Sequence, residues 1–543
     1  METSKPFFVI IYDMKTLSEL FSQFPLKIIA GVPTAQKINK IAFDSRKIQQ
    51  NDLFVAISGE YFDGHDYIDK AIEQGAIAIV GEQKIDNLPR PYIQVENARQ
   101  ALAHLASAYY NYPSRYLVMI GITGTDGKTT TSNYLYQILR TAGLKAGMIS
   151  TVNAIIDDEI LDTGFHVTTP DALDTQRYLT QMVEANLTHV ILETTSHGWA
   201  QYRVDACNFD IGIITNITHE HLDYHGFYEV YRAAKGRLFE DLRGKGDEER
   251  GLRPLAVLNR DDDSFDYLSR LARVPKLAYG MDTSADLRAV DIGYCPDGIT
   301  FKIIGIPPRS EDFNPYEKRE NFEIATKTSL VGGYNISNAL AAFGAAVYGL
   351  GISPEIAARG ISALDGIPGR MERIDLGQKF TVIVDFAHTP NALRVAIQSA
   401  HEMTKGRVIA LFGSAGLRDK EKRRLMAETS AELAELTILT AEDPRTESLG
   451  GILSEMAKGA IDKGGAENES FWRIEDRGRA IEFALKLARP DDIVLICGKG
   501  HEQSMCFGEV EYAWDDRIAT RAALGKFLGI DDALKMPYLP TQA

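Results

Sequence analysis

The sequence predicts an α/β protein of three domains: a small N-terminal α/β domain over residues 1–114, a central domain with a mainly parallel sheet over 115–368, and a Rossmann-like C-terminal domain over 369–543. Three observations carry that expectation. Short apolar runs alternate with helical stretches along nearly the whole chain. A glycine-rich turn stands between one apolar run and a helical stretch, at Gly121-Ile-Thr-Gly-Thr-Asp-Gly-Lys-Thr-Thr-Thr131. After Ile367-Pro368-Gly369 the alternation starts afresh.

Taken in order, the apolar run Phe7-Phe-Val-Ile-Ile11 ends at Asp13 and reads as a first strand, being too short to cross a membrane. Residues 52–56 and 76–80 read as strands, and 67–74 and 98–110 as helices, closed by Tyr112-Pro113-Ser114. A strand at 116–122 opens the central domain, and 189–192 and 211–215 continue its sheet. Residues 243–253 and 307–321 are dense in charge, glycine and proline and read as surface loops. The last domain takes its strands from 380–384, 408–412, 436–440 and 493–497.

A chain of 543 residues with 45% hydrophobic content is a folded protein with room for several cores. Its 59 basic and 75 acidic side chains give a net charge of -16, which opposes general attraction to nucleic acid or an anionic membrane. Any phosphate ligand must be caught locally. The four cysteines, Cys207, Cys295, Cys497 and Cys506, form neither a metal ladder nor a disulfide framework, so a reducing cytoplasm is expected, without membrane insertion.

Strand, glycine-rich turn and helix is the context in which backbone N–H groups and a helix N-terminus cradle phosphates, which makes the central domain P-loop-type. Lys128 is expected against the β- and γ-phosphates, with the Thr129 hydroxyl on magnesium. The glycines fall at 121, 124 and 127, which is not the strict Walker spacing. An ordinary tight turn would use the same glycines, but Gly127-Lys-Thr129 at a helix start favours a nucleotide.

Glu193 ends the strand at 189–192, where a carboxylate can face the magnesium of a nucleotide across the mouth of the sheet. Downstream, His219-Glu-His-Leu-Asp-Tyr-His225 concentrates three histidines in seven residues. A zinc hydrolase of the metallo-β-lactamase type shares the His-x-His-x-Asp spacing, but Tyr224 breaks that pattern and a phosphate loop has no place in that fold. His221 is expected to touch metal or phosphate, whereas His219 and His225 fit a loop satisfied by backbone groups.

Together these residues resemble the Mur ligases, and most of all the branch that forms UDP-N-acetylmuramoyl-tripeptide. The likeness runs from about Asp44 to near Leu528. It includes Gly124 to Thr130, Glu193-Thr-Thr-Ser-His-Gly198, Glu220-His-Leu-Asp-Tyr-His-Gly226 and Tyr231-Arg-Ala-Ala-Lys-Gly-Arg-Leu-Phe239. Later segments are Gly332-Gly-Tyr-Asn-Ile-Ser-Asn338, Gly369-Arg-Met-Glu-Arg373, Asp385-Phe-Ala-His-Thr-Pro390, Gly416-Leu-Arg-Asp-Lys420 and Gly498-Lys-Gly-His-Glu502. The resemblance implies that ATP is held by Gly124, Thr125, Asp126, Gly127, Lys128, Thr129 and Thr130, with Asn335, Arg370 and Asp385 beyond, so that closure assembles the site. It implies two magnesium ions, one on Thr129 and Glu193 and one on His221 and a carbamylated Lys235. An ammonium takes up CO2 only after losing its proton, which burial makes easier. The catalytic set is then Lys128, Glu193, His221 and Lys235.

By the same resemblance the N-terminal domain receives the uridine nucleotide through Asp44-Ser45-Arg46, while Thr168, Thr169, Ser196, Gln201 and Arg203 hold the sugar-peptide. The implied substrates are UDP-N-acetylmuramoyl-L-alanyl-D-glutamate and a free diamino acid, joined through an acyl phosphate by a protein acting as a monomer. Arg418, Asp443, Arg445, Gly498 and Glu502 match the amino-acid site. Arg445 suits a carboxylate gripped in bidentate fashion, and Glu502 a distal ammonium. Glu442-Asp-Pro-Arg445 stands where diaminopimelate-adding members carry Asp-Asn-Pro-Arg, so Asp443 replaces an asparagine. Meso-diaminopimelate leads, with L-lysine and L-ornithine behind. A folate polyglutamate ligase and a scaffold subunit that has lost catalysis are the competing readings; Lys128, Glu193, His221 and Lys235 together oppose the second.

Overall fold

The computed structural model describes residues 14–59, 62–152, 154–157, 159–161, 169–218, 226–242, 252, 254–295, 298–306, 321–530 and 534–542. The strand expected at Phe7-Ile11, most of the two polar loops, Thr168 and His221 lie outside these residues. The chain groups into two compact units, Met1–Arg288 with Ile303–Ile324 and Asn338–Gly360, and Ala289–Lys302 with Ala325–Ser337 and Ile361–Ala543.

The first unit holds two sheets. The smaller contains β1 (Ile28–Ala30), β2 (Ile41–Ala42), β3 (Asp52–Val55), β4 (Ala76–Gly81) and β5 (Tyr92–Val95), in the order β1-β5-β4-β3-β2. Only β1 runs antiparallel to its neighbour. Helix Ala98–Tyr109 covers one face and buries Leu102 and Leu105 with Val55, Ile93 and Val95. Asn97 starts that helix by accepting the Gln100 N–H at 2.9 Å, which satisfies a donor that the first turn leaves open.

The second sheet carries β6 (Val118–Thr123), β7 (Ala146–Ile149), β8 (Ala154–Ile156), β9 (Glu159–Leu161), β10 (His189–Glu193), β11 (Ile211–Ile214), β12 (Leu255–Asn259) and β13 (Lys276–Gly280). Their order is β13-β12-β11-β6-β10-β7-β8-β9. From β13 to β7 every pairing is parallel, while β8 and β9 turn back as an antiparallel hairpin. β6 is apolar and buried throughout because helices cover both faces of a parallel sheet. Three further strands, Leu287–Cys295, Gly298–Gly305 and Phe322–Thr328, extend the sheet beyond β13, and along them the chain passes between the units. These strands were not expected: Leu287–Cys295 and Phe322–Thr328 are half exposed and lack the continuous apolar runs of the parallel core.

The second unit is Rossmann-like, as expected. Its strands are β17 (Glu372–Ile374), β18 (Thr381–Asp385), β19 (Val408–Phe412), β20 (Leu436–Leu439), β21 (Phe471–Arg473) and β22 (Ile493–Cys497), where β14 to β16 denote the three extending strands. They lie in the order β17-β18-β22-β19-β20-β21, all parallel except the edge strand β17. Helices Pro390–Met403, Lys420–Leu433 and Leu449–Asp462 cover one face, and Arg477–Leu487 and Asp516–Leu528 the other. The carboxyl ends of such strands are where open α/β sheets bind ligands. No described helix is long and apolar enough to cross a membrane.

Candidate active site

The phosphate loop joins β6 to helix Lys128–Thr141, and two glycines fix its shape. Gly127 has φ +81° and caps the helix, and a Cβ there would stand 2.2 Å from Asn338 Oδ1. At Gly124 a Cβ would lie 1.8 Å from Thr215 Oγ1. Long-range bonds hold the loop from outside. The Thr125 N–H donates to the Asn216 carbonyl at 2.8 Å, the Asp126 N–H donates to Asn216 Oδ1 at 3.0 Å, and the Thr125 and Tyr231 hydroxyls meet at 3.0 Å. Lys128, half-buried, donates to the carbonyls of Gly124 and Thr125 at 3.0 and 2.8 Å, so its charge lies across the loop. Thr129 and Thr130 are buried in the first helical turn.

Glu193 closes β10 with its side chain buried. Thr129 Oγ1 donates to Glu193 Oε2 at 3.1 Å, and Thr151 Oγ1 to the same oxygen at 2.9 Å. A hydroxyl and a carboxylate brought together beside a phosphate loop are the hard oxygen donors magnesium takes, so these residues fit that ion. Lys235, on helix Tyr228–Glu240, is 2% exposed and donates to the Gly124 carbonyl at 2.6 Å, with Tyr231 beneath its amine at 4.6 Å. The lysine is therefore buried against the phosphate loop rather than solvated on a helix face.

Of the residues expected to hold the sugar-peptide, Thr169, Ser196, Gln201 and Arg203 gather beside Glu193. Arg203 donates to the Thr169 carbonyl at 2.7 Å and grips Gln201 Oε1 with two N–H groups at 3.1 and 2.6 Å. Thr169 Oγ1 donates to the Glu193 carbonyl at 3.1 Å, and Gly198 packs against Thr169 closely enough that a Cβ would come within 2.9 Å of it. Ser196 is buried at the start of helix Ser196–Ala200, which Thr195 caps. In the smaller sheet's region Ser45 is buried, whereas exposed Arg46 pairs with Asp44 through two bonds of 2.9 Å.

In the second unit the Arg370 guanidinium stacks on Phe386 at 4.6 Å, and the Phe386 ring meets His388 at 4.5 Å and His501 at 4.9 Å. Asp385 accepts the N–H groups of Met371 at 2.7 Å and Ala387 at 2.8 Å. Desolvation raises its carboxyl above the ordinary value, against the pull of Arg370 and those N–H groups. Gly369, at φ +64°, lies so near the Gly498–Glu502 segment that a Cβ would stand 2.2 Å from the His501 backbone nitrogen. Asn335 is buried and donates to the Val331 carbonyl at 2.6 Å.

Around the expected amino-acid site, Asp443 Oδ1 accepts from Lys499 Nζ and from the Cys506 N–H, each at 2.9 Å. Lys499 is fully buried and also pairs with Glu502. Burial opposes its charge, but the carboxylates of Glu502 and Asp443 outweigh that and hold the ammonium above its ordinary value. Glu502, expected to be open to a substrate ammonium, is thus engaged by a lysine of its own motif. Arg445 adopts φ +51° and reaches the Gly416 carbonyl at 3.4 Å, while nearby Glu447 pairs with Arg423 at 2.9 Å. Arg418 is exposed, and a Cβ on Gly498 would come within 2.5 Å of Glu442 Oε2.

Sequence reasoning missed Asn216, Asn338, Tyr231, Thr151 and Lys499. Four of these stood in or beside segments already singled out; Thr151 carried no signal.

Phosphoryl transfer from ATP drives amide formation in one class of synthetic enzymes, and this chain is an ATP-dependent, amide-bond-forming ligase. Three family descriptions match in succession: Mur ligase family, catalytic domain, over residues 37–110; Mur ligase middle domain over 122–346; and Mur ligase, glutamate ligase domain, over 369–500. The chain is 38% identical to the UDP-N-acetylmuramoyl-L-alanyl-D-glutamate--2,6-diaminopimelate ligase of Geobacillus kaustophilus, over 89% of its own length and 94% of that protein. It is 38% identical to the UDP-N-acetylmuramyl-tripeptide synthetase of a Roseiflexus species, over 91% of this chain and 96% of that one. A solved UDP-N-acetylmuramoyl-L-alanyl-D-glutamate--2,6-diaminopimelate ligase aligns with a TM-score of 0.63 at 28% identity, over 95% of this chain and 100% of the other. The chain belongs to the Mur ligase family.

Proposed function

We propose that the protein adds meso-diaminopimelate to UDP-N-acetylmuramoyl-L-alanyl-D-glutamate, using ATP, as a cytoplasmic monomer serving peptidoglycan synthesis. The observation that carries this reading is the convergence of Lys128 and Lys235 on the Gly124 carbonyl, beside Thr129 and Glu193, within a chain similar to named tripeptide-forming ligases. The domains are 1–114 for the uridine nucleotide, 115–368 for ATP and 369–543 for the amino acid, and one family match falls within each.

The reaction runs in two steps. A carboxylate oxygen of the D-glutamate attacks the γ-phosphorus of ATP, ADP leaves, and an acyl phosphate forms. The amine of the amino acid then attacks the acyl carbon, inorganic phosphate departs, and the amine loses a proton to give the amide. Two anions must meet in the first step, and their repulsion is relieved by the loop N–H groups, Lys128 and the helix N-terminus. Thr129 and Glu193 would hold one magnesium ion, and His221 with carbamylated Lys235 a second; bound there, magnesium supplies positive charge against the triphosphate. Thr169, Ser196, Gln201 and Arg203 orient the sugar-peptide, joined by Thr168, and Asn335, Arg370 and Asp385 serve the nucleotide.

Arg445 and the Geobacillus relative favour meso-diaminopimelate; the Roseiflexus name leaves L-lysine and L-ornithine open. The test is to incubate the purified protein with ATP, magnesium and the UDP-dipeptide, to offer each diamino acid separately, and to weigh the product. A tripeptide with meso-diaminopimelate is expected, and no product with any of the three overturns the reading.

A further inference from the structure

Arg237 lies two residues beyond Lys235 on helix Tyr228–Glu240, and the two steps above give it no role. Successive residues of an α-helix turn by about 100°, so side chains two apart leave opposite sides of it. Lys235 meets the phosphate loop at the Gly124 carbonyl, and Arg237 reaches the other way. Its guanidinium donates to the Trp199 carbonyl and, at 2.7 Å, to Asp205 Oδ1, and it stacks over the Tyr202 ring at 4.7 Å. Gly236, between the two, packs so closely on helix Phe265–Leu271 that a Cβ would stand 2.8 Å from Leu271 Cδ1. The helix is thus fixed on three sides.

The segment that Arg237 grips carries the residues assigned to the sugar-peptide. Ser196 starts helix Ser196–Ala200, and Gln201 and Arg203 follow it. Between those two stands Tyr202, at φ +57°, a left-handed backbone that a bulky side chain keeps only where its surroundings hold it. The Trp199 carbonyl, the Tyr202 ring and the Asp205 carboxylate all meet one guanidinium, whose planar fork and flat face suit it to such a task. The Asp205 side chain is 5% exposed and extends the chain of contacts. Its other oxygen accepts from Gln100 Nε2 at 2.9 Å, on helix Ala98–Tyr109 beside the smaller sheet.

We propose that Arg237 is a positioning residue for the first step: it holds the Gln201–Arg203 turn and the Lys235 helix in one arrangement, so that the sugar-peptide carboxylate and the phosphate loop meet in register. The proposal rests on the reading of the chain as a ligase acting on a UDP-dipeptide. The guanidinium is turned to the protein's own carbonyl, carboxylate and ring, so it acts through Gln201, Arg203 and Lys235. A displacement of about 1 Å between reacting groups can cost on the order of a hundredfold in rate, which makes such a brace count.

The test uses the full-length protein. Arg237→Lys keeps the charge, but an ammonium lacks the fork and cannot span Trp199 and Asp205 together. Calorimetric titration with the UDP-dipeptide, without ATP or magnesium, should show Kd raised about tenfold, the worth of one charge-assisted bond. Steady-state rates should show kcat lowered by roughly 10- to 100-fold, with KM for ATP and for the amino acid within about twofold of the wild type. Asp205→Asn keeps an acceptor for Gln100 but frees the guanidinium; it should move the same two quantities the same way, and it serves alone if the lysine variant fails to fold. The double variant should be no worse than the worse single one, because both changes break one link. An unchanged Kd for the UDP-dipeptide, equal rises in the KM of all three substrates, or losses that multiply in the double variant overturn the positioning role. Wild-type protein that binds no UDP-dipeptide overturns the ligase reading itself, whatever the variants do.

Discussion

The Lys235 amine donates to the carbonyl oxygen of Gly124 at 2.6 Å, tying helix Tyr228–Glu240 to the phosphate loop. The side chain is 2% exposed, so any group formed on its nitrogen would sit beside the loop rather than in bulk water. Lys235→Ala should abolish turnover, and added formate or acetate should restore part of it by occupying the space of the lost carbamate. Steady-state rates with and without the carboxylates check this. Full activity in the alanine variant rejects the carbamate role.

Gly127→Ala should weaken ATP binding by about tenfold and lower thermal stability. The alanine must adopt a left-handed backbone, at a cost of about 1–2 kcal/mol, and its Cβ would collide with Asn338 Oδ1. Calorimetric titration with ATP and a thermal melt measure the two effects. An unchanged affinity would mean that the loop's shape does not govern nucleotide binding.

Glu193→Gln keeps acceptors for the Thr129 and Thr151 hydroxyls but removes the charge at the end of β10. The magnesium concentration for half-maximal activity should rise by roughly 10- to 100-fold, with the melting temperature nearly unchanged. A magnesium titration identical to that of the wild type would remove Glu193 from the metal site.

Much of this arrangement was legible in the sequence because its parts are local. Gly124, Gly127, Lys128 and Thr129 fall within one short turn, and a carboxylate ending a strand announces where Glu193 must point. The supports were not legible. Asn216 reaches the loop from beyond a strand end about 90 residues downstream and Asn338 from within helix Tyr334–Gly344 about 200 residues downstream, and only the folded chain brings them there. Lys499 escaped for a different reason: a lysine in a glycine-rich motif reads as solvated, and nothing local reveals two buried carboxylates waiting for it. The extension beyond β13 was equally silent, since its half-exposed strands Leu287–Cys295 and Phe322–Thr328 lack the apolar runs that mark a parallel core.

His104 predicts a pH dependence of stability. Burial alone lowers its pKa to about 4 from 6.5, with Phe24 edge-on to its ring. The unfolded chain therefore binds a proton that the folded chain refuses between about pH 6.5 and 4, so stability is full above that window and falls as the pH drops through it. His104→Gln should flatten this loss, which amounts to at most about 3 kcal/mol at one pKa unit per 1.36 kcal/mol. Thermal melts of both proteins from pH 7 to pH 4.5 decide it, and parallel curves would clear His104 of the effect.

Asp443→Asn bears on the choice of amino acid. The residue sits at φ +39°, a backbone that asparagine tolerates as well as aspartate, and its Oδ1 accepts from Lys499 and from the Cys506 N–H. Asparagine retains that acceptor, so the turn leading to Arg445 should keep its shape, and only the charge changes. With Asp443 negative, Lys499 is neutralised from two sides and the neighbourhood of Arg445 repels a carboxylate. With asparagine, Glu502 alone faces Lys499, and the distal carboxylate of meso-diaminopimelate meets less opposition. Its KM should fall several-fold at constant kcat, equivalent to about 1 kcal/mol, while KM for L-lysine, which has no distal carboxylate, should hardly move. Measured side by side, equal changes for the two amino acids would show that the charge at 443 acts on the α-carboxylate or the fold rather than on the distal end. A rise for meso-diaminopimelate would mean that the aspartate assists binding, and that Lys499 in the native protein is the group held in place for it.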